Sequence, residues 1–486
     1  MISKQAIDNF AANLPDEVKA SVRDGTTSSY DKRLEAMEAD YEDVDALRAL
    51  AGQIKQHTVD HLDDYLRQAE ARLAERRITV HYAWDPEAAR RIVLDILAQR
   101  GATRVVKSKS MVSEEAALTA FLTAQGIETT ESDLGEFIVQ LDEDHPSHVV
   151  KPIIHKNRRQ IAITFQQHGL GDYDEDPEGI TRRARTFMRE RFLAADAAIS
   201  GANFVSAESG RIAVVTNEGN SRFGVAAAPL CIVLTGIEKL LPRDRDFGLF
   251  LSLLARSATG QRMTSYVEFL HGPRLDTQPD GPEEMHLVFM NNHRTEALGT
   301  PFSSALRCIR CGACMNVCPV YRQTSGHAYR NVYPGPIGAV LDPILAGPEG
   351  FAEQADLARA STLCGACNEV CPVNIPIPDL LVRHRTRAVE ENARIANLGT
   401  PPMGGWARLA TSPRTWRAGM NASNAMNYVP LDLLPVYPVR AWLEQRELPD
   451  WRGGHFRSWM RKRDGHDKAG TDTRPSEVAG KGSQDE

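Results

Sequence analysis

CIRCGACMNVCP (residues 308–319) and STLCGACNEVCP (residues 361–372) are near copies, offset by 53 positions from 308 to 361. Seven of the eight cysteines fall here: Cys308, Cys311, Cys314 and Cys318 in the first copy, Cys364, Cys367 and Cys371 in the second. A fold containing these runs must bring seven thiols together on two short loops. The first run reads C-x2-C-x2-C-x3-C-P, the bacterial iron–sulfur spacing, whose fourth cysteine ligates the other cluster of a pair. Thiolates three residues apart on a tight loop can each reach a different iron. Gly312 and Ala313 leave room for backbone N–H groups to approach the sulfides. Zinc fits less well, because its sites show two separated C-x2-C pairs and close with four ligands. A secreted disulfide scaffold would be small and cysteine-dense throughout, unlike this chain of 486 residues.

Crossed ligation assigns Cys308, Cys311, Cys314 and Cys371 to one cluster and Cys318, Cys364 and Cys367 to the other. Ser361 stands where the second cluster's fourth cysteine would be. Three arrangements are open at that corner. A [4Fe–4S] cluster can be capped by Ser361, another side chain, water or a partner's ligand. A [3Fe–4S] cluster lacks that iron altogether. An open iron can instead take a substrate as a Lewis acid. The expected cofactors are therefore two iron–sulfur clusters of the 4Fe-4S type, the second being 3Fe-4S or carrying a non-cysteine ligand in the alternative arrangements. Clusters that exchange ligands sit close together, which suits one-electron transfer.

The rest of the chain reads as α/β plus α. Residues 1–77 form an N-terminal helical arm. Its first 30 residues are polar and expected to dock weakly, and Val44, Leu47, Leu50, Ile54, Val59, Leu62 and Leu66 recur at helical spacing. From Ile78 strands alternate with helices, which predicts an α/β domain over 78–300. Residues 301–390 hold the cysteine runs with helices between them. A small C-terminal domain, 391–461, is anchored by Trp406, Trp416, Trp442, Trp451 and Trp459. Residues 462–486 are nearly without apolar side chains and are expected to be a disordered tail. Cys231, inside AAAPLCIVLTGIEKL, reads as a buried, inert thiol. The formal net charge of −7 gives no support to a nucleic-acid surface. No stretch approaches the roughly 20 apolar residues of a membrane span, and the first residues lack a secretory apolar core, so a cytoplasmic protein is expected.

LCGACNEVCPVNIPIPDLL, preceded by HAYRNVYPGPIGAVLDPIL, resembles the lactate-utilization protein B family of bacterial L-lactate oxidation. VVKSKSMVSEE, ESDLGEFIVQL, GANFVSAESGRIAVVTNEGNSR, GIEK and DGPEEMHLVFMNN resemble that family's lactate-utilization domain. The resemblance runs from about residue 30 to 460. It implies a sugar-isomerase and coenzyme A transferase type of fold for 78–300, then a helical two-cluster ferredoxin domain. It implies that the seven cysteines of the two runs are the cluster ligands, and that the missing eighth is the family's own pattern. It also implies two partners, a cysteine-rich subunit similar to the heterodisulfide-reductase family and a second lactate-utilization-domain protein. The implied function is an iron–sulfur electron-transfer subunit of a complex oxidising L-lactate to pyruvate, allowing growth on lactate. The alternatives are a lactate or 2-hydroxy-acid dehydrogenase in its own right, or a redox sensor.

A 2-hydroxy acid needs a cation for its carboxylate and a base near its hydroxyl. Lys107 or Lys109 with Glu208 or Glu218 could supply these, with Ser110, Asn217 and Asn220 nearby in sequence or in turns. The plainer reading makes TNEGN a turn and KSKS a solvated loop. His145, His148, His155 and His168 are scattered and read as surface or packing groups. No G-x-G-x-x-G follows a strand, so the chain is not expected to be nicotinamide-dependent.

Overall fold

The computed structural model describes residues 4–391, 403–422 and 455–469. It divides into a unit of Met1–Ala396 and a unit of Asn397–Glu486.

The first unit is built on a six-stranded parallel sheet in the order β1-β10-β7-β4-β2-β3. These strands are β1 (Ile78–Ala83), β2 (Arg104–Lys107), β3 (Glu128–Glu131), β4 (Ala197–Ser200), β7 (Leu230–Gly236) and β10 (Glu284–Met290). All seven residues of β7 are buried, as expected of a continuous apolar run inside a parallel sheet. The pleat sends them to two different cores. Leu230, Ile232 and Leu234 pack with Val93, Ile96 and Leu97 of the helix Pro86–Gln99. Cys231 and Val233 pack with Leu62, Ala69 and Leu73 of the helix Leu62–Glu75. Burial pushes the Cys231 thiol up to about 12, so it is an inert core group. A second, four-stranded sheet, β8-β5-β6-β9, comprises β5 (Phe204–Ser206), β6 (Ile212–Thr216), β8 (Leu240–Leu241) and β9 (Tyr266–Leu270).

After β2 the chain moves outward to β3, whereas after β4 it moves the other way to β7. The carboxyl ends of β2 and β4 therefore flank a topological switch point, the place where open parallel sheets leave a crevice for ligands.

The N-terminal segment differs from its expectation. Residues 16–40 form one 25-residue helix that buries Val22, Thr26, Ser29, Arg33 and Met37 along one stripe. Their spacing is helical, but the stripe is largely polar, which hides it from an apolar-periodicity reading. Beyond β10 the unit is made of short helices. Between the cysteine runs lie Pro319–Thr324, Gly335–Leu345 and Gly347–Gln354, and Ile377–Glu390 leaves the second run. Residues 335–344 are all buried, and their helix packs against the helix Ala313–Asn316 of the first run.

In the second unit the described residues form the helices Met403–Thr411, Pro413–Ala422 and His455–Ala469. The last runs past residue 462, where a tail without structure was expected. Arg461, Lys462 and Arg463 are good helix formers, but Asp464, Gly465, His466 and Asp467 are not, and nothing in the sequence explains the helix's length. Of the expected anchors, Trp406 and Trp459 are exposed and Trp416 is half-buried. Trp442 and Trp451 lie outside the described residues.

Candidate metal centre

Both copies bend through the same backbone states. Arg310 and Gly312 take positive φ, 61° and 76°, and their counterparts Leu363 and Gly365 take 56° and 88°. Each glycine then precedes a four-residue helix, Ala313–Asn316 or Ala366–Glu369. Glycine reaches this region without a Cβ penalty. At Gly312 a Cβ would also meet His148 at 2.9 Å. Such turns aim successive N–H groups into a concavity that favours negative charge. Backbone N–H groups reach sulfur in both runs, among them Arg310 to Cys308 Sγ at 3.4 Å, Tyr321 to Cys318 Sγ at 3.5 Å and Ile375 to Cys371 Sγ at 3.3 Å. Hydrogen bonds of this kind favour the thiolate form.

Cys308, Cys311, Cys314 and Cys371 line one cavity with Ile337, Ile375 and Ile377. All four are buried. Cys371 thus leaves its own run and joins the first. Cys318, Cys364 and Cys367 form a second group, in which the charges of Cys318 and Cys364 act on Cys367. Burial pushes the Cys311 and Cys367 thiols up to about 12. Cys364 is the exception. It is exposed, and the Thr362 hydroxyl and the Ala366 N–H hold its thiol below the usual value. Crowded, buried thiolates in an apolar cavity are stable only against a bound cation, and soft sulfur donors in these numbers suit iron–sulfur clusters. The residues present fit such groups.

Ser361 is half-buried, and its Oγ accepts a hydrogen bond from Leu363 N at 3.1 Å. Arg385 donates to the Ser361 carbonyl at 3.2 Å.

The N-terminal helices clamp the second run, a role that sequence reasoning missed. Arg33 donates to Val370 O at 3.1 Å, and Arg48 donates to Cys371 O at 2.8 Å and to Asn368 O at 2.7 Å. These partners lie more than 300 residues away, so no local signal marks them.

The five residues expected of a substrate pocket separate. Lys109, Asn217 and Glu218 line one cavity of about 250 Å³ at the switch point. Lys107 does not join them. It is wholly buried and ion-paired to Glu114 at 2.9 Å and Glu131 at 3.0 Å, with Glu136 at 3.9 Å. Glu208 is exposed elsewhere and accepts from Asp244 N at 2.7 Å. Partial desolvation, then the like charge of Asp133, push the Glu218 carboxyl up to about 7. KSKS is thus not a solvated loop, because Lys107 and Ser108 are buried. Ser110, Asn220, Lys239, Arg310 and Tyr333 line the same cavity. The last three, all in motifs quoted above (GIEK, CIRC and HAYRNVYPGP), were not expected there.

The histidines are packing or surface groups. His148 is buried, and burial pushes it down to about 3. Its Nδ1 accepts from Val150 N and Lys151 N, while Nε2 meets Asn316 Oδ1 at 3.2 Å. His155 pairs with Asp144 at 2.9 Å, and His145 and His168 are exposed.

Residues 66–290 match the LUD domain, and residues 304–375 match the 4Fe-4S dicluster domain. Lactate utilization protein B of Shouchella clausii is 43% identical over 427 residues, 86% of this chain and 88% of that protein. The Exiguobacterium sp. protein of the same name is 43% identical over 428 residues, 87% and 89% of the two chains. The Bacillus licheniformis protein is 38% identical over 486 residues, 96% of this chain and 100% of that one. A solved DUF162 family protein from Deinococcus radiodurans aligns over 47% of this chain and 98% of its own at 12% identity, with a TM-score of 0.28, a likeness too slight to bear on the fold. On the relatives at 38–43% identity and the two matched domains, the chain belongs to the lactate utilization protein B family and carries a 4Fe-4S dicluster domain.

Proposed function

We propose that this chain is the iron–sulfur electron-transfer subunit of a cytoplasmic, multi-subunit complex that oxidises L-lactate to pyruvate. Cys308, Cys311, Cys314 and Cys371 hold the first cluster, and Cys318, Cys364 and Cys367 hold the second. When bound, the clusters supply one-electron transfer. The observation that carries this reading is the crossing of Cys371 into the first run's buried cavity while Cys364 stays exposed. One thiolate set is thereby wholly buried, while the other has one member, Cys364, at the surface, where a partner can approach. The partners proposed are a cysteine-rich subunit similar to the heterodisulfide-reductase family and a second lactate-utilization-domain protein. The parallel sheet with helices on its faces supports a relation to the sugar-isomerase and coenzyme A transferase folds. Among the described residues no helix is long and apolar enough to cross a membrane.

Anaerobic electron paramagnetic resonance of the purified chain, alone and with its partners, tests this reading. The chain alone should show two clusters and no lactate turnover, with lactate reducing the clusters only when the partners are present. Lactate turnover by the chain alone would overturn the assignment. A second measurement concerns Ser361, whose hydroxyl oxygen is already engaged by Leu363 N. Ser361→Ala should leave the second cluster's signal in place, and loss of that signal would make the serine a ligand.

A further inference from the structure

The switch-point cavity faces the α/β layer on one side and the first cysteine run on the other. It is lined by the loop after β2 (Ser108, Ser110) and by Asn220, at the start of the helix Asn220–Ala227. Lys239, Arg310 and Tyr333 line it too. Arg310 lies between Cys308 and Cys311 and lines both this cavity and the one that gathers the four cysteines.

The positive charge here is not balanced. Arg294, Arg310, Lys239 and Lys55 are buried beside three buried carboxyl groups, Glu115, Glu238 and Asp342, and burial, then the charge of Glu115, pushes Asp342 well above the usual carboxylate range, which favours its neutral form. Glu115 is taken by Arg294, and Glu238 is shared by Arg294 and Arg310. Lys55 donates to the carbonyls of Glu238 and Leu240. Lys239 is 5% exposed and makes no ion pair or side-chain hydrogen bond among the described residues. Arg310 Nε is also buried without a partner. Buried cationic donors left unpaired cost several kcal/mol unless something outside the chain answers them. The charge of Cys308 acts on Lys239 as well as on Arg310, but Lys239 lines only the switch-point cavity, so a ligand there can meet it. Asn220 uses its Oδ1 to accept from Thr216 at 2.6 Å, which leaves its amide N–H groups for a further acceptor. At about 250 Å³ the cavity is smaller than the roughly 300–1,000 Å³ of drug-sized sites, so a dinucleotide or flavin is too large.

We infer that this cavity is a binding site for a small organic carboxylate, seated on Lys239 and Arg310 beside the first cysteine group, with Asn220 donating to a second oxygen of the ligand. The inference stands on charge and position. Only the choice of lactate and pyruvate as probes rests on the proposed function, and failure to bind would leave the electron-transfer reading untouched.

The experiment is calorimetric titration of the anaerobically prepared full chain, clusters in place, with L-lactate, pyruvate, propionate and inorganic phosphate in separate runs. L-lactate or pyruvate should bind saturably, one per chain, and more tightly than propionate, which lacks the second oxygen. Lys239→Met should weaken that binding at least about tenfold, with iron content unchanged. Asn220→Ala should narrow the gap to propionate, and it keeps the question answerable if Lys239→Met does not fold. Bound ligand should also shift the paramagnetic signal of the cluster nearest Arg310. Three results would each overturn the proposal: no saturable binding of any organic acid, phosphate binding in preference to all three, or affinity unchanged in both variants.

Discussion

Cys371→Ser should abolish the cluster held by the first cysteine run, although Cys371 belongs to the second. Its thiol shares the buried cavity of Cys308, Cys311 and Cys314, and Ile375 N donates to it at 3.3 Å. Serine keeps the shape but offers a hard, weakly acidic hydroxyl where a soft thiolate is needed. The variant should therefore match Cys308→Ser, with iron falling by roughly half and the same paramagnetic signal lost. Cys364→Ser should remove the other signal. The cavity belongs to the largest apolar core, which contains Ile309, Met315, Ile337 and Val373. Loss of the metal there should also lower thermal stability, since binding energy at such a site is folding energy. Cys364→Ser, at an exposed position, should cost less stability. If Cys371→Ser instead matched Cys364→Ser, the ligands would be uncrossed and the cluster assignment would fail.

That crossing was legible because it depends on local spacing. The four-cysteine pattern, the glycines at 312 and 365 and the repeat offset all lie within two twelve-residue windows. The positive φ of Arg310 and Leu363 was not legible, because neither residue type favours it and the loop imposes it. Strands such as β7 announced themselves as apolar runs, since a parallel strand buries both faces. The helix Asp16–Asp40 did not, since its buried stripe includes Thr26, Ser29 and Arg33.

The pocket shows the same division. Lys107 and Lys109 sit two positions apart and looked equivalent, but β2 ends at Lys107 and Lys109 lies in the loop beyond it. Lys107 meets carboxylates from β3 and from the helices Met111–Glu115 and Leu134–Leu141, while Lys109 reaches the cavity. Which of the two faces a ligand is set by partners distant in sequence. Lys239 and Arg310 lay in quoted motifs, yet nothing local says that they converge. Only the sheet order, which places β7 between β10 and β4, brings the loop after β7 against the cysteine run.

Arg294→Met should destabilise the protein by about 3–5 kcal/mol, the usual cost of stripping one partner from a buried ion network. Arg294 is 1% exposed. It meets Glu115 through Nη2 at 2.6 Å and Nη1 at 3.0 Å, and Glu238 through Nε at 2.6 Å. Glu115 and Glu238 are themselves 4% and 0% exposed, so solvent does not screen these contacts. The two carboxylates fare differently when the guanidinium goes. Glu238 keeps Arg310 at 3.1 Å and so remains paired. Glu115 keeps only the neutral donors Tyr333 and Asn292 in contact, and becomes a buried charge with no ion pair, Arg310 acting on it from beyond contact. Most of the cost therefore belongs to Glu115. A second change, Glu115→Gln, should then recover at least about 1 kcal/mol of the loss, because a neutral amide no longer needs the missing cation. Because Arg310 stays anchored, the signal of the first cluster should survive in both variants. Anaerobic denaturant unfolding of the native, single and double variants measures all three quantities. A single-variant loss below about 1 kcal/mol, or a double variant weaker than the single, would mean that Arg294 and Glu115 are not the coupled pair their geometry describes.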